Sequence, residues 1–469
     1  MNETKNLIRV LVAVSVVGIL GSGCQTYKTQ AKSMTSAWSA GNMQQAATEF
    51  GKKANALGPT HSVIWHLEAG AAYRAVGDFT NSNRHFDAAE AQIDKFDEEA
   101  KVKVGVEAAA IMSNQQNLPY TGRSYDKIML HTYQALNYLS LGEADKVRPE
   151  IIRAYQCQQD AVEDNKQRIE KAQEAAQKSK DSAYIEKTKA NPKFDECQQT
   201  VLKEIEGFSF YADYVNPFTV YLDGLYFLHA GVDGSDLERA RKSLSRVFEL
   251  TGSNKFIQAD LQLAENGGNA KPSPCTYVIF ETGQAASRDQ IRIDIPIIII
   301  KLSYVGTAFP KLALHNDHAS ELTVKAGDVE EKTLSLASMD SVVALDYKNE
   351  WPVILTKTLI STVAKAVADY AVNDAVSKST DNIFVKLGAR VATAAIQASV
   401  NIADTRSWTT LPKMFQVARI ATPPDRKLVL STSSAAPVEV ALMDGVVNVV
   451  HVRSITANAP LLVNQFKLK

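Results

Sequence analysis

Hydrophobic residues recur at intervals of three and four positions through the first half of the chain. From Ser33 to about Gly267 the sequence is rich in Ala, Glu, Gln, Lys and Leu, and prolines are few. This period is typical of amphipathic helices, which bury one apolar stripe and leave the opposite face in water. The first half is therefore predicted to be α-helical.

The pattern changes at 266–275, where the sequence reads NGGNAKPSPC. Short runs rich in β-branched residues follow and predict strands. The run 293–302 is the most apolar of them and is expected to be a buried strand. Asp444-Gly445 separates two alternating runs and predicts a β-hairpin. The predicted strands lie at 276–283, 291–300, 321–327, 341–347, 416–422, 426–434 and 437–455.

Two longer segments of the second half, 350–376 and 383–405, have a helical pattern rich in small residues. Such helices pack closely and sometimes insert into membranes. Because Lys357, Lys365 and Asp369 interrupt the first segment, we expect a helix pair packed on the sheet. Beyond the N-terminus, no apolar run approaches the length of about 18 residues that a membrane span requires.

A glycine-centred spacing repeats along the helical half. A small residue follows the glycine by five positions and a large apolar residue follows it by nine. Copies begin at Gly41, Gly77 and Gly142, with a weaker copy around Ala240. The spacing resembles the tetratricopeptide repeat, in which a glycine turn joins two helices and the helix pairs stack. A generic helical bundle with incidental spacing is the alternative.

The segment 156–206 is highly charged, with both signs mixed and only a narrow apolar seam. It predicts a solvated antiparallel helical hairpin that projects from the repeats, with its tip near 178–181. Cys157 and Cys197 are about equidistant from that tip, so a disulfide could clamp the base and contribute about 4 kcal/mol. Two free cysteines in separate helices are the alternative. No CxxC pair is present, so a zinc site is not expected.

The chain begins with a basic start, an apolar run at 10–20, and three small residues before Cys24. The run has the length of a signal peptide and is too short to span a bilayer. The boundary resembles the lipobox of bacterial lipoproteins, in which the cysteine is acylated, although leucine stands one place further back than usual. We therefore expect a signal peptide at 1–23 and a lipidated polar tether at 24–32. An ordinary cleaved secretory peptide is the alternative.

Two segments carry a more specific resemblance. The first, 120–150, contains YTGRSY and LNYLSLG, and the second, 403–412, reads ADTRSWTTLP. Both resemble segments of a family of large bacterial lipoproteins with tetratricopeptide-like helices, whose function is not established. The resemblance implies a candidate interaction or structural motif at Tyr120, Gly122, Arg123, Tyr125, Asp404, Arg406 and Trp408.

The residues themselves suggest how these motifs are built. Gly122 is expected to break the preceding helix so that Ser124 can cap the next one. Asp404 could accept a bidentate hydrogen bond from Arg406 while the Trp408 indole covers both. A structural role is favoured over a binding or catalytic role for these groups.

Composition and motifs exclude several classes of function. The 469 residues are 45% hydrophobic and carry a net charge of −1, which is ordinary for a globular protein and gives no basic excess for nucleic acid. The sequence contains no GxSxG, P-loop or HExxH motif. His315, Asp317 and His318 are close in sequence, but a polar turn explains them better than a metal site. No catalytic residue and no small-molecule cofactor is expected.

The sequence thus predicts an α+β multidomain protein, with tetratricopeptide-like α-helical repeats at 33–267 and a β-rich module at 275–469 that contains inserted helices at about 350–405. Gln25 follows Cys24, where aspartate would favour inner-membrane retention, so an outer-membrane anchor facing the periplasm is expected. The expected role is a non-catalytic scaffold that binds envelope proteins. The resemblance adds a link to peptidoglycan synthesis, because genes of the family often lie beside genes for lipoprotein activators of peptidoglycan synthases. An envelope hydrolase and a structural subunit of a secretion complex are the alternatives.

Overall fold

The computed structural model describes residues 27–469 apart from 57, 103–115, 117, 213, 253, 269–272, 296–304 and 380–401. The predicted signal peptide and Cys24 lie outside the described residues. So do most of the apolar run 293–302 and nearly all of the predicted second inserted helix.

Twelve α-helices lie in the described part of the chain. They are α1 Tyr27–Ser39, α2 Met43–Ala56, α3 Ser62–Ala75, α4 Phe79–Val102, α5 Ser124–Leu141, α6 Ala144–Lys178, α7 Ser182–Lys189, α8 Pro192–Leu202, α9 Pro217–Ala230, α10 Gly234–Thr251, α11 Lys255–Glu265 and α12 Met339–Ser379.

The strands of the described residues form three sheets. They are β1 Cys275–Thr282, β2 Ser287–Ile295, β3 Val305–Ala313, β4 Thr323–Ala326, β5 Val329–Lys332, β6 Leu334–Ser338, β7 Met414–Ala421, β8 Lys427–Ser431, β9 Val438–Ala441, β10 Val447–Ser454 and β11 Leu462–Lys467. One sheet has the order β11-β10-β1-β7-β6, one is the pair β2-β3, and one has the order β5-β4-β8-β9. The structure is thus mixed α and β, as predicted.

Three of the predicted turn glycines join successive helices. Gly41, Gly77 and Gly142 have φ values of 82°, 79° and 75°. This left-handed region suits glycine because a Cβ atom strains it. The three residues separate α1 from α2, α3 from α4 and α5 from α6, so a glycine turn lies between two successive helices at each of these positions.

The charged segment forms a helical turn where the sequence predicts one, but the segment does not project into solvent. The helix α6 ends at Lys178 and α7 begins at Ser182. Along α6, the Asn165 side chain donates a hydrogen bond of 3.0 Å to the carbonyl of Asn349 on α12. Alanines within the charged pattern, such as Ala172, are buried. Most side chains of α6 are exposed, as predicted, but the prediction that the hairpin projects from the repeats is wrong, because small residues on this seam let α6 pack against the second half.

Two local predictions in the second half are overturned by packing. The run 341–347, predicted to be a strand, lies in α12, which begins eleven residues before the predicted helix start at 350. A short apolar run with β-branched residues fits either structure, and here the longer helical context prevails. The hairpin predicted at Asp444-Gly445 does not form, because β9 pairs with β8 whereas β10 pairs with β1 and β11.

The two halves share one hydrophobic core. The rings of Phe218 on α9 and Phe415 on β7 stack with centroids 3.8 Å apart. Tyr133 on α5 contacts Trp408 with centroids 5.9 Å apart. The inner faces of the helix pairs are therefore packed on the second half of the chain.

The first described residue belongs to this core. Tyr27 is 2% exposed, and its hydroxyl lies 2.9 Å from the Glu68 carboxylate and 3.2 Å from the Ser407 carbonyl. Residues 27–32 are helical, so the prediction of a polar tether over all of 24–32 is wrong. Burial of the apolar Tyr27 ring holds this segment against the folded body.

The length and apolar character of the helices decide whether any of them could span a membrane. Of the helices in the described ranges, none is long and apolar enough to cross a bilayer.

Candidate functional site

The two segments that resemble the lipoprotein family meet in space. The Arg123 guanidinium donates a hydrogen bond of 2.6 Å to the carbonyl of Arg406. Arg406 in turn donates to the carbonyl of Leu118 at 2.8 Å and to that of Thr60 at 3.1 Å. Arg123 therefore holds the backbone of the second segment, and Arg406 holds the second segment against the backbone at Leu118, just before the first segment, and at Thr60.

The turn before α5 positions Arg123. The Asp126 carboxylate accepts the backbone N–H of Arg123 at 2.9 Å and also accepts the hydroxyl of Tyr120. Gly122 has a φ of 78°, which a larger residue would strain. The capping position is Arg123 and Ser124 is the first helical residue, so the prediction that Ser124 caps the helix is wrong by one position. Asp126 replaces the expected serine because its carboxylate reaches back to the free N–H.

Asp404 and Arg406 form the predicted bidentate pair. The two carboxylate oxygens of Asp404 accept from Nε and Nη2 of Arg406 at 2.8 and 2.7 Å. Burial alone would raise the pKa of Asp404, but the positive charges of Arg406 and Arg123 hold it below its usual value. The Asp404 carboxylate is therefore ionised at neutral pH.

Trp408 does not cover this pair. Its indole packs on Phe86 and Tyr133, with ring centroids 5.8 and 5.9 Å away. The aromatic ring over the Arg406 guanidinium is that of Tyr120, at 5.2 Å. The prediction was wrong because Ser407 and Trp408, which follow Arg406, are buried in the core. Tyr125 is also buried, at the start of α5.

An open cleft of about 130 Å³ lies where these groups meet. Its walls are the loop 118–123, the 350–357 part of α12, Asp404 and Arg406, and single residues from β2, β3 and α6. Within the described residues, two carboxylates line it, Glu350 and Asp404, together with five cationic side chains, those of Arg123, Arg168, Arg288, Lys357 and Arg406.

Glu350 is the central counterion of the cleft. Its carboxylate lies 2.5 Å from Nη2 of Arg288, 2.8 Å from Nη2 of Arg168 and 3.7 Å from Nε of Arg123. Although burial opposes ionisation, these arginines hold the pKa of Glu350 far below its usual range. Behind it, burial and the charge of Glu350 raise the pKa of Asp346 to about 6.

Two buried donors at the cleft lack a hydrogen-bond acceptor in the described structure. They are the Nε–H groups of Arg123 and Arg288, whose residues are 5% and 2% exposed. Buried polar groups are almost always satisfied by protein, water or a ligand. Both nitrogen atoms are themselves buried from solvent.

Cys157 and Cys197 are free thiols in the structure, and the predicted disulfide is not formed. Cys157 lies close enough to His131 on α5 to raise the pKa of that histidine. The Cys197 sulfur lies 3.8 Å from the carbonyl of Asp294 on β2. The two cysteines have different neighbours because α8 turns toward β2 and does not return along α6.

A second polar cluster was not predicted from the sequence. His131 Nδ1 lies 2.8 Å from the carboxylate of Glu150. Burial lowers the pKa of His131, but its interactions with Cys157 and Glu150 outweigh this effect and raise the pKa to about 9. The sequence feature that could have indicated this cluster is the turn at Gly142, which places α5 beside α6 and so brings His131 close to Glu150.

The residues of the HNDH stretch have separate partners. His315 Nε2 lies 3.0 Å from the Ser287 hydroxyl, and the Asp317 carboxylate accepts the backbone N–H of Ala457 at 3.0 Å. Across the described ranges, no group of three or more His, Cys, Asp or Glu residues is arranged to hold a metal ion.

No protein-family model, curated protein or solved structure matches this chain. The cleft is therefore interpreted from its own geometry. Residues of both distinctive segments line it.

Proposed function

We propose that this protein is a lipoprotein anchored in the outer membrane and facing the periplasm, where it acts as a non-catalytic scaffold in envelope assembly. The observation that carries the proposal is the meeting of the two distinctive segments around one open, arginine-lined cleft. If the two segments had a structural role alone, their side chains would be expected to pack together and leave no open space. Here the charged groups also face a cleft that a partner can enter.

The helix pairs support a tetratricopeptide-like origin for the first half, through their glycine turns at Gly41, Gly77 and Gly142. Repeat arrays bind partners along the face that their stacked helices present. In this chain, aromatic contacts such as Phe218 on Phe415 occupy the inner face. We therefore assign partner binding to the cleft and not to a groove of the array.

The start of α1 supports a close anchor. Because Tyr27 is buried, only Gln25 and Thr26 separate a lipidated Cys24 from the folded body. In extended chain the distance from Cys24 to Tyr27 is about 10 Å. A lipid at Cys24 would thus hold the body against the headgroups, without a long tether.

The charges of the cleft favour a scaffold over a hydrolase. A glycosidase needs one carboxyl group with a raised pKa as general acid. Glu350 and Asp404 both have pKa values held below the usual range by arginines. Asp346, whose pKa is raised, does not line the cleft.

Photo-crosslinking in native cells tests the proposal. A photoreactive residue replaces Thr121, an exposed residue that lines the cleft, and Thr200, an exposed residue of α8 that does not line it. We expect a specific envelope protein to crosslink from position 121 and not from 200, and mass spectrometry to find acylated Cys24. Equal background capture from both positions would overturn the scaffold role. An unmodified Cys24 would overturn the anchor.

A further inference from the structure

We propose that a second, smaller cavity of the protein binds one monatomic anion, such as chloride. The cavity has a volume of about 20 Å³ and lies between the helical half and the five-stranded sheet. Its walls are formed by α1, α3, α5, β1, β10 and β11 and by Thr410. It shares no residue with the arginine-lined cleft, and an ion can bind there whether or not the protein is a scaffold.

The cavity wall carries one more positive charge than its acidic residues neutralise. Arg74 and Arg453 are 5% and 4% exposed, and Glu281 is the one carboxylate on the wall. The pKa of Glu281 is lowered to about 2, so this residue is ionised. Burial lowers the pKa of His451 on the same wall, so its ring is neutral at pH 7. Two guanidinium groups therefore share a single counterion.

The two arginines gain no second carboxylate from behind the wall. Among the described residues, Glu281 is the one carboxylate that raises the pKa of Arg74 or Arg453, and burial outweighs it, so that both pKa values are lowered. Buried charges in proteins are nearly always paired, because an unpaired charge away from water is costly. A bound monovalent anion would neutralise the remaining charge.

Two donors on the wall have no partner within the described structure and remain open. Arg74 uses Nη1 on the Asn137 side chain and Nη2 on the His451 ring, both at 3.0 Å, which leaves its Nε–H unused. The side-chain amide of the half-buried Asn464 also has no partner there. Neither group is among the unpartnered donors that are shut off from solvent. The Nη2 of Arg453 is shut off, so Arg453 contributes its charge and not a contact.

The size of the cavity selects the class of anion. A cavity of about 10 to 15 Å³ is enough to hold one water molecule. The volume here admits one monatomic ion of similar size and excludes a carboxylate or a phosphate. Because Ala75 and Asn464 are the half-buried residues of the wall, an ion can enter from their side. Once bound, it would join Arg74 on α3 to Asn464 on β11.

The NMR line width of chloride tests the binding on the full mature protein in detergent. The probe is sodium chloride, and sodium gluconate, whose anion is too large for the cavity, keeps the ionic strength constant. We expect a broadening that saturates with chloride concentration and that is removed by bromide but not by gluconate. Broadening that does not saturate, or that gluconate removes as well as bromide does, would overturn the site.

Matched variants locate the bound ion. Asn464→Leu fills the cavity and removes the amide donor, whereas Asn316→Leu makes the same change at an exposed residue outside the cavity. The first variant should reduce the chloride-specific broadening by at least about fivefold. The second should leave it unchanged, and an equal reduction in both would overturn binding in this cavity.

Charge variants test the unneutralised charge in both directions. Arg453→Met removes one positive charge and should weaken chloride binding by about tenfold, whereas Glu281→Gln removes the counterion and should strengthen it by about threefold. Circular dichroism checks that each variant is folded. Weaker binding in both variants, or no change in either, would overturn the role of the charge. If either variant does not fold, Asn464→Leu and its control decide the outcome.

Discussion

The Arg123 guanidinium lies 2.6 Å from the carbonyl oxygen of Arg406 and joins two segments that are 283 residues apart. Arg406 is held on its other side by Asp404 through two hydrogen bonds. These contacts make one buried arrangement out of two stretches that look independent in the sequence. They also set the distance between the walls of the cleft.

Arg406→Lys should destabilise the protein by about 2 to 4 kcal/mol. Lysine cannot make the paired bond to Asp404 and also reach the carbonyls of Leu118 and Thr60. Urea unfolding of the full mature chain measures the loss. The control is Arg241→Lys, which alters a bidentate pair with Glu238 on the exposed face of α10. A similar shift of the midpoint in both variants would contradict the buried role of Arg406.

The number of free thiols measured in the protein should be the same with and without reducing agent. Protein from native envelopes, denatured and titrated with a thiol reagent, should show three free thiols, those of Cys157, Cys197 and Cys275. Cys24 does not contribute when it carries lipid. A gain of two thiols after reduction would show that Cys157 and Cys197 are bonded in cells.

His131→Gln should cost more stability at acidic pH than at alkaline pH. The folded-state pKa of His131 is raised to about 9, so its contribution is fully present below about pH 6.5 and is lost as pH rises through 9. The destabilisation at pH 6 should exceed that at pH 10 by about 3 kcal/mol. The control is His318→Gln, whose ring nitrogen lies 3.0 Å from the Asn316 carbonyl. Parallel pH profiles for the two variants would refute the ion pair with Glu150.

Asp346→Asn should stabilise the protein at pH 8. Burial and Glu350 raise the pKa of Asp346 to about 6, so the stability that its protonated form contributes is present below about pH 4 and is lost as pH rises through 6. The neutral amide removes that loss, which amounts to about 2 to 3 kcal/mol. Thermal unfolding at pH 8 and pH 4 measures the gain and its disappearance.

Asp289→Asn is the matched control for this prediction. Hydrogen bonding from Lys28 lowers the pKa of Asp289, so the substitution should give no gain at pH 8. A gain of equal size in both variants would mean that net charge, and not the buried site of Asp346, sets the effect.

Features that depend on local backbone geometry could be predicted from the sequence. Gly41, Gly77 and Gly142 mark turns because left-handed φ values suit glycine. The Asp404–Arg406 pair was predictable because the two residues are only two positions apart. The pairing of their side chains does not depend on the packing of a distant element.

Features that depend on long-range packing were not predictable. Arg168, Arg288 and Glu350 belong to three elements without a distinctive motif, and only the packing of α6 and β2 on α12 brings them together. Asp444-Gly445 shows the same limit in the sheet. The chain bends after β9 there, but β10 pairs with β1 and β11 and not with β9.

The hydroxyl of Tyr27 lies 3.2 Å from the carbonyl of Ser407, across 380 residues of chain. A polypeptide that emerges from a ribosome or a translocon with its N-terminus first must wait for nearly its whole length before this contact can close. During that delay the apolar face of α1 has no permanent neighbour from the second half. Until synthesis or translocation is complete, this early segment would be accessible to chaperones and to proteases that cut unfinished chains.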